Sequence, residues 1–247
     1  RSYAVMRISY GALAVDTVGS LYGLAAALQV AGDPTAAAPH LDEVIASLAS
    51  LALGGGLGAD RIVHPNDEVN RGQSSNDVFP TAMHVAAVLQ MRSLSGSLGA
   101  LRLALQAKAA AFAQTLKIGR THLQDATPVT LGQEFGGYDA QLAMAEAALR
   151  QALPAVHALA IGGTAVGTGL NTHPEFGERV AAVLASRLGE PFVVAPNRFA
   201  AMAGHEALVG LHGALRQLAI ALTTIGNDIR LMGSGPRAGL RGLQVPG

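Results

Sequence analysis

The feature that most constrains the fold is a regular stripe of apolar residues near the end of the chain. These residues alternate spacings of three and four: Leu208, Leu211, Leu215, Leu218, Leu222, Ile225, Ile229 and Met232. The spacing places all of them on one side of a helix, which at 1.5 Å per residue forms a rod of roughly 35 to 40 Å. A stripe of this length requires partner helices along it.

Two earlier segments have the same period. The first contains Ala87, Met91, Leu94, Leu98, Leu101 and Leu105, and the second contains Leu131, Phe135, Tyr138, Leu142, Ala145, Leu149, Ala152 and Val156. Half of the 247 residues are hydrophobic but only 4% are aromatic, so the core is built from small aliphatic side chains. Such a core suits closely approaching helices, and the sequence predicts an all-α helix bundle.

Turn and cap residues suggest where the helices begin. Asn76 or Asp77 is placed to cap the first long helix, with Pro80 tolerated in its opening turn, and Thr127-Pro128 is placed to open the second. A shorter helix is predicted from the capping-box sequence 172–175 to about Leu188. Short strands are expected only near Phe192–Val194.

Charge and composition exclude several classes of function. Seventeen basic and seventeen acidic residues give a net charge of zero, which argues against a nucleic-acid or membrane-surface binder. There is no cysteine for a disulfide or a thiolate, and we find no run of about 18 uninterrupted apolar residues. The N-terminus lacks Met and the pattern of a signal peptide, so we expect a cytoplasmic protein whose sequence begins inside a longer reading frame.

The glycine-rich segment 162–169 has two readings. It is compatible with a phosphate cradle, but no Lys follows it in Walker spacing and no strand is predicted before it. The alternative is a tight turn with close backbone packing, which we favour over nucleotide binding.

A first polar cluster precedes the first long helix. It contains Arg61, His64, Asn66, Asp67, Asn70, Gln73, Ser74, Ser75, Asn76 and Asp77. Side-chain donors combined with the free N–H groups of a helix N-terminus are suited to an anion such as a carboxylate. The alternative is that Asn, Asp and Ser simply form turns and caps. The density of the cluster favours binding.

A second polar cluster lies between the first and second long helices. Within 119–128, His122 is flanked by Thr121, Gln124 and Asp125, which are expected to orient the imidazole for general acid–base catalysis. A structural histidine is the alternative. A zinc site is disfavoured because no HExxH occurs and the histidines lack a tight ligand spacing; they include His64, His84, His122, His157, His173, His205 and His212.

In these motifs the sequence resembles the class II fumarase branch of the fumarase/aspartase superfamily. The shared blocks follow in order over residues 60–240: 63–84, 117–138, 162–172, 195–199, 227–230 and 233–237. The Thr-His-Leu-Gln-Asp-Ala core and the Ala-Pro-Asn-Arg-Phe segment are fumarase-like, and aspartases carry Gln in place of His122. The resemblance implies an antiparallel helix bundle that assembles into a homotetramer with active sites built from several subunits.

The resemblance also implies a reaction and roles for individual residues. It implies hydration of fumarate to (S)-malate in the tricarboxylic acid cycle, without a cofactor or a metal, with His122 activating water. The substrate dicarboxylate would be bound by Thr121, Ser74, Ser75, Asn76 and Arg61. A second, non-catalytic dicarboxylate site would include Arg61 together with His64, Asn66 and Asp67.

The sequence departs from the family pattern at both ends. The family's mobile loop with a catalytic serine and a Lys/Asn pair would lie beyond Gly247, and His40–Ile45 stands where a Gly-Ser-Gly-Thr block is expected. We therefore divide the chain into a divergent N-terminal region, 1–59, and a helix-bundle domain, 60–247, and expect little turnover from 1–247 alone. An ammonia lyase acting on aspartate and a non-catalytic dicarboxylate-binding or assembly protein remain as alternatives.

Overall fold

A computed structural model describes the chain continuously over residues 72–235. Outside this range it describes 46, 49–50, 53–56, 60, 62–64, 237, 239–240 and 242–243. In chain order the elements are α1 (Ser75–Ala111), β1 (Leu116–Thr121), β2 (Gln124–Thr130), α2 (Leu131–Val156), β3 (Ala158–Leu159), α3 (Phe176–Leu188), β4 (Val193–Val194), α4 (Arg198–Ala203) and α5 (Glu206–Met232).

The three predicted long helices correspond to α1, α2 and α5, and the helical character of the fold is confirmed. In α2 nearly the whole predicted stripe is buried, whereas in α1 and α5 the fully buried members recur every seventh residue. Those members are Met91, Leu98 and Leu105 in α1, and Leu211, Leu218, Ile225 and Met232 in α5. The intervening Leu101 and Leu222 are each 39% exposed. One side of each of these two stripes is therefore left uncovered within the described chain.

The chain divides into two compact units, of which the first contains 1–89 and 155–206. Its described part includes the beginning of α1, the glycine-rich segment and α3. A parallel pairing of β3 with β4 ties the end of α2 to the segment after α3, with Ala158 opposite Val193. The predicted strand near Phe192–Val194 and the predicted end of α3 at Leu188 are confirmed.

The second unit contains 90–154 and 207–247. Its part of α1 runs antiparallel to α2, because Gln106 pairs with Asp139 whereas Arg102, one turn earlier, reaches on to Glu146. Arg102 also donates to Asp139, at 2.8 Å. Tyr138, near the start of α2, hydrogen-bonds to Asp228, near the end of α5, so the start of α2 lies beside the end of α5.

The predicted starts of α2 and α3 were wrong. Residues 124–130 form strand β2 rather than the first turn of a helix, and α2 begins only at Leu131. The cap is a reciprocal pair: the Thr130 hydroxyl accepts the Gln133 N–H, and the Gln133 side chain accepts the Thr130 N–H. This pair satisfies two backbone N–H groups at the start of α2 that would otherwise lack an acceptor. Thr127 and Pro128 lie in β2 and do not cap the helix. Likewise, α3 begins at Phe176, after Glu175, which makes no side-chain cap bond.

Helix α5 is the one helix, among the residues that the structure describes, whose length and composition would allow it to cross a membrane. Its most apolar window has a mean hydropathy of 1.3 and is 22% buried. Its sequence contains no uninterrupted apolar run of that length, because polar residues such as Arg216 and Gln217 interrupt it. The same composition is found in helices that pack against other helices in bundles.

Candidate functional site

Ser74 ends the loop before α1 and caps that helix. Its hydroxyl accepts the Asn76 N–H at 3.2 Å, and Asp77 accepts the Ser74 N–H at 2.9 Å. This is a variant of the capping box, with Asp in place of the usual Glu at the third helical position and the Ser74 hydroxyl accepting from the second helical residue. The helix therefore begins at Ser75, and the prediction that Asn76 or Asp77 supplies the cap was wrong, although Asp77 takes part from the third helical position.

The carboxylate of Asp77 connects the start of α1 to the glycine-rich segment. Its Oδ2 accepts the N–H groups of Gly162 at 3.0 Å and Thr164 at 2.9 Å, while its Oδ1 accepts that of Ser74. The side chain is 0% exposed. Burial raises the pKa of Asp77 above its usual value, and the backbone N–H groups oppose that rise because they stabilise the ionised form.

The segment around Gly162 is folded into a tight turn that requires its glycines. Gly162 has φ +85°, and a Cβ there would lie 2.8 Å from the Cα of Gly177. Thr164 has φ +57°, a conformation that a β-branched residue rarely adopts. The N–H groups that a phosphate would need are directed at Asp77, as in backbone nests around anions. Of the two interpretations of this segment, the structure therefore agrees with the tight turn, whose N–H groups bind the carboxylate of Asp77.

Three predicted ligand-binding residues lie together at this end of α1. Ser75 and Asn76 are exposed, and Ser74 is half-buried. The Asn76 side-chain amide donates to the Ala165 carbonyl at 2.8 Å, so its orientation is set by the same turn that Asp77 holds. Hydroxyl and amide groups fixed at a helix N-terminus supply neutral donors of the kind that bind a carboxylate.

The predicted catalytic histidine occupies the tip of a hairpin in the second unit. Strands β1 and β2 pair antiparallel with Thr121 opposite Gln124, which leaves His122 and Leu123 as a two-residue turn. Both have positive φ, +51° and +61°, as in a type I′ turn, where Asn and Gly are preferred. Two ordinary L-residues held in this conformation store strain of about 1 to 3 kcal/mol each, which is a feature of functional sites.

The groups expected to orient His122 are engaged differently. Asp125 lies opposite Arg120 across the hairpin and forms an ion pair with it at 3.2 Å. In the part of the chain that the structure describes, the imidazole has no hydrogen-bond partner, and both Thr121 and His122 are exposed. The prediction that Asp125 orients the imidazole was therefore wrong, because the Arg120 guanidinium engages the carboxylate instead.

The shape of the hairpin depends on Gly119. The strand register shifts between Ile118 and Arg120, so that Gly119 alone stands opposite two residues of β2, a bulge. A Cβ on Gly119 would lie 2.7 Å from the carbonyl oxygen of Thr127, which excludes a side chain there. The bulge increases the local twist and thereby sets the direction of the hairpin tip.

Of the predicted second dicarboxylate site, only His64 falls within the described residues, and it is exposed. Arg61, Asn66 and Asp67 lie outside them. Next to His64, the Val63 N–H donates to the Ser50 hydroxyl at 2.8 Å, which fixes the backbone at this point.

His84 is a structural histidine. Its Nδ1 lies 3.0 Å from the carbonyl oxygen of Ala158 and the residue is buried. Burial lowers the pKa of His84, because the protonated ring loses its hydration, and nearby His205 acts in the same direction. Within the described ranges, no group of three His, Cys, Asp or Glu side chains is placed to hold a metal ion.

Comparisons with known proteins support the resemblance. A family model described as "Lyase" matches residues 27–247, so it includes part of the region predicted to be a separate N-terminal segment. The chain belongs to the lyase family. This lyase is 61% identical over 216 residues to the class II fumarate hydratase of Chromobacterium violaceum. The matched region covers 87% of the lyase chain and 47% of the Chromobacterium protein.

Two further similarities agree. Identity to the mitochondrial fumarate hydratase of Rattus norvegicus is 54%, covering 87% of the lyase chain and 43% of the rat protein. The crystal structure of the Schistosoma mansoni class II fumarase matches with a TM-score of 0.74 and 41% identity, over 81% of the chain and 45% of that structure. The resemblance to class II fumarases is thus confirmed, and the chain spans about half the length of the curated relatives it matches.

The sequence reasoning missed the role of Asp77, which it treated only as a possible cap. The signal was present: an Asp that follows Ser-Ser-Asn at a helix start, with a glycine-rich turn later in the chain. Because the partner N–H groups lie 85 and 87 positions away, no local pattern could connect them.

Proposed function

We propose that this lyase is part of a fumarate hydratase, which adds water reversibly to fumarate to form (S)-malate. The observation that carries the proposal is the 61% identity to a class II fumarate hydratase over 216 residues that include both polar clusters. The exposed donors at the start of α1 and the strained presentation of His122 are consistent with it.

The chemistry accounts for the residue types. Addition of the water oxygen to one alkene carbon of fumarate builds carbanion character on the other, and that charge spreads into the adjacent carboxylate. Donors fixed around the carboxylate stabilise the growing charge, a role that suits Ser74, Ser75 and Asn76. Thr121 and Arg61 would bind the substrate with them. His122 would accept the proton of the attacking water, and a separate acid would protonate the carbon.

We further propose a homotetramer with active sites shared between subunits, in the cytoplasm of the cell. The uncovered sides of the α1 and α5 stripes, marked by Leu101 and Leu222, are suited to packing against helices of other copies. His64 would contribute to a second dicarboxylate site together with Arg61, Asn66 and Asp67.

The decisive experiment follows fumarate by its absorbance with two proteins: residues 1–247, and the same chain extended through its downstream reading frame. We expect turnover from the extended protein, little from 1–247, and a loss of about 10² to 10⁴ in kcat for His122→Asn in the extended protein. Malate should form in amounts equal to the fumarate consumed.

Other outcomes would identify a different function. Activity on aspartate but not on malate would indicate an ammonia lyase on the same scaffold. Absence of turnover from both proteins, with binding of fumarate in calorimetry, would indicate a non-catalytic dicarboxylate-binding protein. Either result would contradict the proposal.

A further inference from the structure

The start of α1 and the turn at 162–165 are joined by two side chains. Asp77 binds the turn through Gly162 and Thr164, and Asn76 binds it through the Ala165 carbonyl. The same carboxylate also accepts the Ser74 N–H. Every residue from Ser74 to Asp77 except Ser75 thus has a fixed hydrogen bond that depends on this carboxylate or on the turn it holds.

The conformation of the 162–165 turn is energetically unfavourable by itself. Thr164 is held at φ +57°, and its buried hydroxyl has no hydrogen-bond partner among the residues that the structure describes. Both features cost free energy. They persist because the buried carboxylate of Asp77 accepts hydrogen bonds from the N–H groups of Gly162 and Thr164. A charged acceptor forms stronger hydrogen bonds than a neutral one, so this contact can offset the strain.

We propose that Asp77 is a positioning residue: by fixing the 162–165 turn against the start of α1, it sets Ser74, Ser75 and Asn76 in the arrangement that binds the substrate carboxylate. This inference rests on the proposed function, since it assigns those three residues to substrate. Asp77 itself is fully buried, so we assign it an indirect role rather than a contact with substrate. Its carboxylate acts through backbone donors on both sides.

Replacement of Asp77 by Asn tests the role with little change in volume. An amide has one acceptor oxygen, and its NH₂ would face N–H donors, so either the Ser74 contact or the turn contact is lost. Asn76 would then lose its fixed orientation. We expect KM for fumarate and for malate to rise about tenfold, the equivalent of one charge-assisted hydrogen bond to the substrate.

The readouts separate positioning from general stability. The pH dependence of kcat should not change in Asp77→Asn, because His122 carries that proton transfer. Leu184→Ala in α3 is the control: it removes a buried side chain in the same unit that takes no part in the hydrogen bonds between α1 and the turn, so it should lower the melting temperature and leave KM unchanged. Amide hydrogen exchange should increase at Ser74, Gly162 and Thr164 in Asp77→Asn but not in Leu184→Ala.

The measurements use the chain extended through its downstream reading frame. A folded Asp77→Asn protein with unchanged KM would overturn the inference while leaving the fumarase proposal intact. If Asp77→Asn does not fold, Thr164→Gly replaces it, since glycine accepts φ +57° but loosens the turn; a KM raised about two- to fivefold supports the inference and an unchanged KM overturns it. A wild-type protein that neither hydrates fumarate nor binds malate would overturn both proposals.

Discussion

Thr164 donates its backbone N–H to Asp77 at 2.9 Å, although the two residues are 87 positions apart in the sequence. One is a β-branched residue in a left-handed conformation, and the other is a carboxylate with 0% exposure. Each would be costly alone. Together they join the start of α1 to the glycine-rich turn, so the stability of this junction depends on both residues.

Asp77→Ala should strongly destabilise the protein. The substitution leaves the N–H groups of Ser74, Gly162 and Thr164 without their acceptor, and each buried unsatisfied donor costs about 1 to 3 kcal/mol. We expect the free energy of unfolding, measured with urea, to fall by about 3 kcal/mol or more. Glu175→Ala, which breaks an exposed ion pair with Arg179, should cost less than about 1 kcal/mol. Equal losses for the two variants would contradict the assignment.

Gly162→Ala and Gly96→Ala should have opposite effects. At Gly162 a Cβ would meet Gly177 Cα at 2.8 Å and φ is +85°, so the substitution should cost about 2 kcal/mol or more. At Gly96, inside α1, a Cβ has nothing within 4 Å, and alanine should stabilise the helix by about 0.5 to 1 kcal/mol. Melting temperatures of the two variants test this directly. A stabilising Gly162→Ala would show that the turn is not as tight as described.

Leu123→Gly should stabilise the protein by relieving strain in the hairpin turn. Leu123 has φ +61°, where glycine has no steric penalty, and the gain should be about 1 kcal/mol. Leu116→Gly is the control, since Leu116 is also exposed but lies in the extended strand β1, where glycine is unfavourable. The control should lower the melting temperature. A fall in melting temperature for Leu123→Gly as well would contradict the strained turn.

His84 should make the protein less stable as the pH falls below neutrality. Its pKa in the folded protein is lowered from the usual 6.5, so below pH 6.5 the unfolded chain binds a proton that the folded chain does not. Stability is therefore fully present above 6.5 and falls as the pH decreases towards the lower folded pKa, by at most about 1.4 kcal/mol per pH unit.

Urea unfolding at pH 7.5 and pH 5.5 checks the contribution of His84. The difference in unfolding free energy between the two pH values should be smaller in His84→Gln than in the wild type, because glutamine does not titrate. Leu184→Ala, a buried substitution in the same unit that removes no titratable group, serves as the control: it should lower stability at both pH values and leave the difference close to that of the wild type. Identical pH dependence in His84→Gln and the wild type would exclude this role.

The long helices could be predicted because each carries its own periodic stripe, and α2 buries nearly all of it. The β1–β2 hairpin could not, since its strands lack a clear alternation and Thr127-Pro128 is equally suited to a helix start. What decided the matter was the Thr130–Gln133 cap, together with the bulge at Gly119. Where the local sequence suits a strand and a helix start equally well, the tertiary contacts that each conformation allows decide between them.

The candidate site divides in the same way. His122, Ser74, Ser75 and Asn76 were predicted from residue type and resemblance alone, because their chemistry is visible in the sequence. The strained turn that displays His122 and the engagement of Asp125 by Arg120 were not visible.

By itself, then, the sequence determined where the three long helices lie and which residue types are available for a site, since both depend on residues close together in the chain. Only the tertiary structure decided that Asp77 is buried against Gly162 and Thr164 and that Asn76 binds Ala165. Those contacts join residues more than 80 positions apart, and a hydrogen bond forms only where folding brings a donor and an acceptor within about 3 Å.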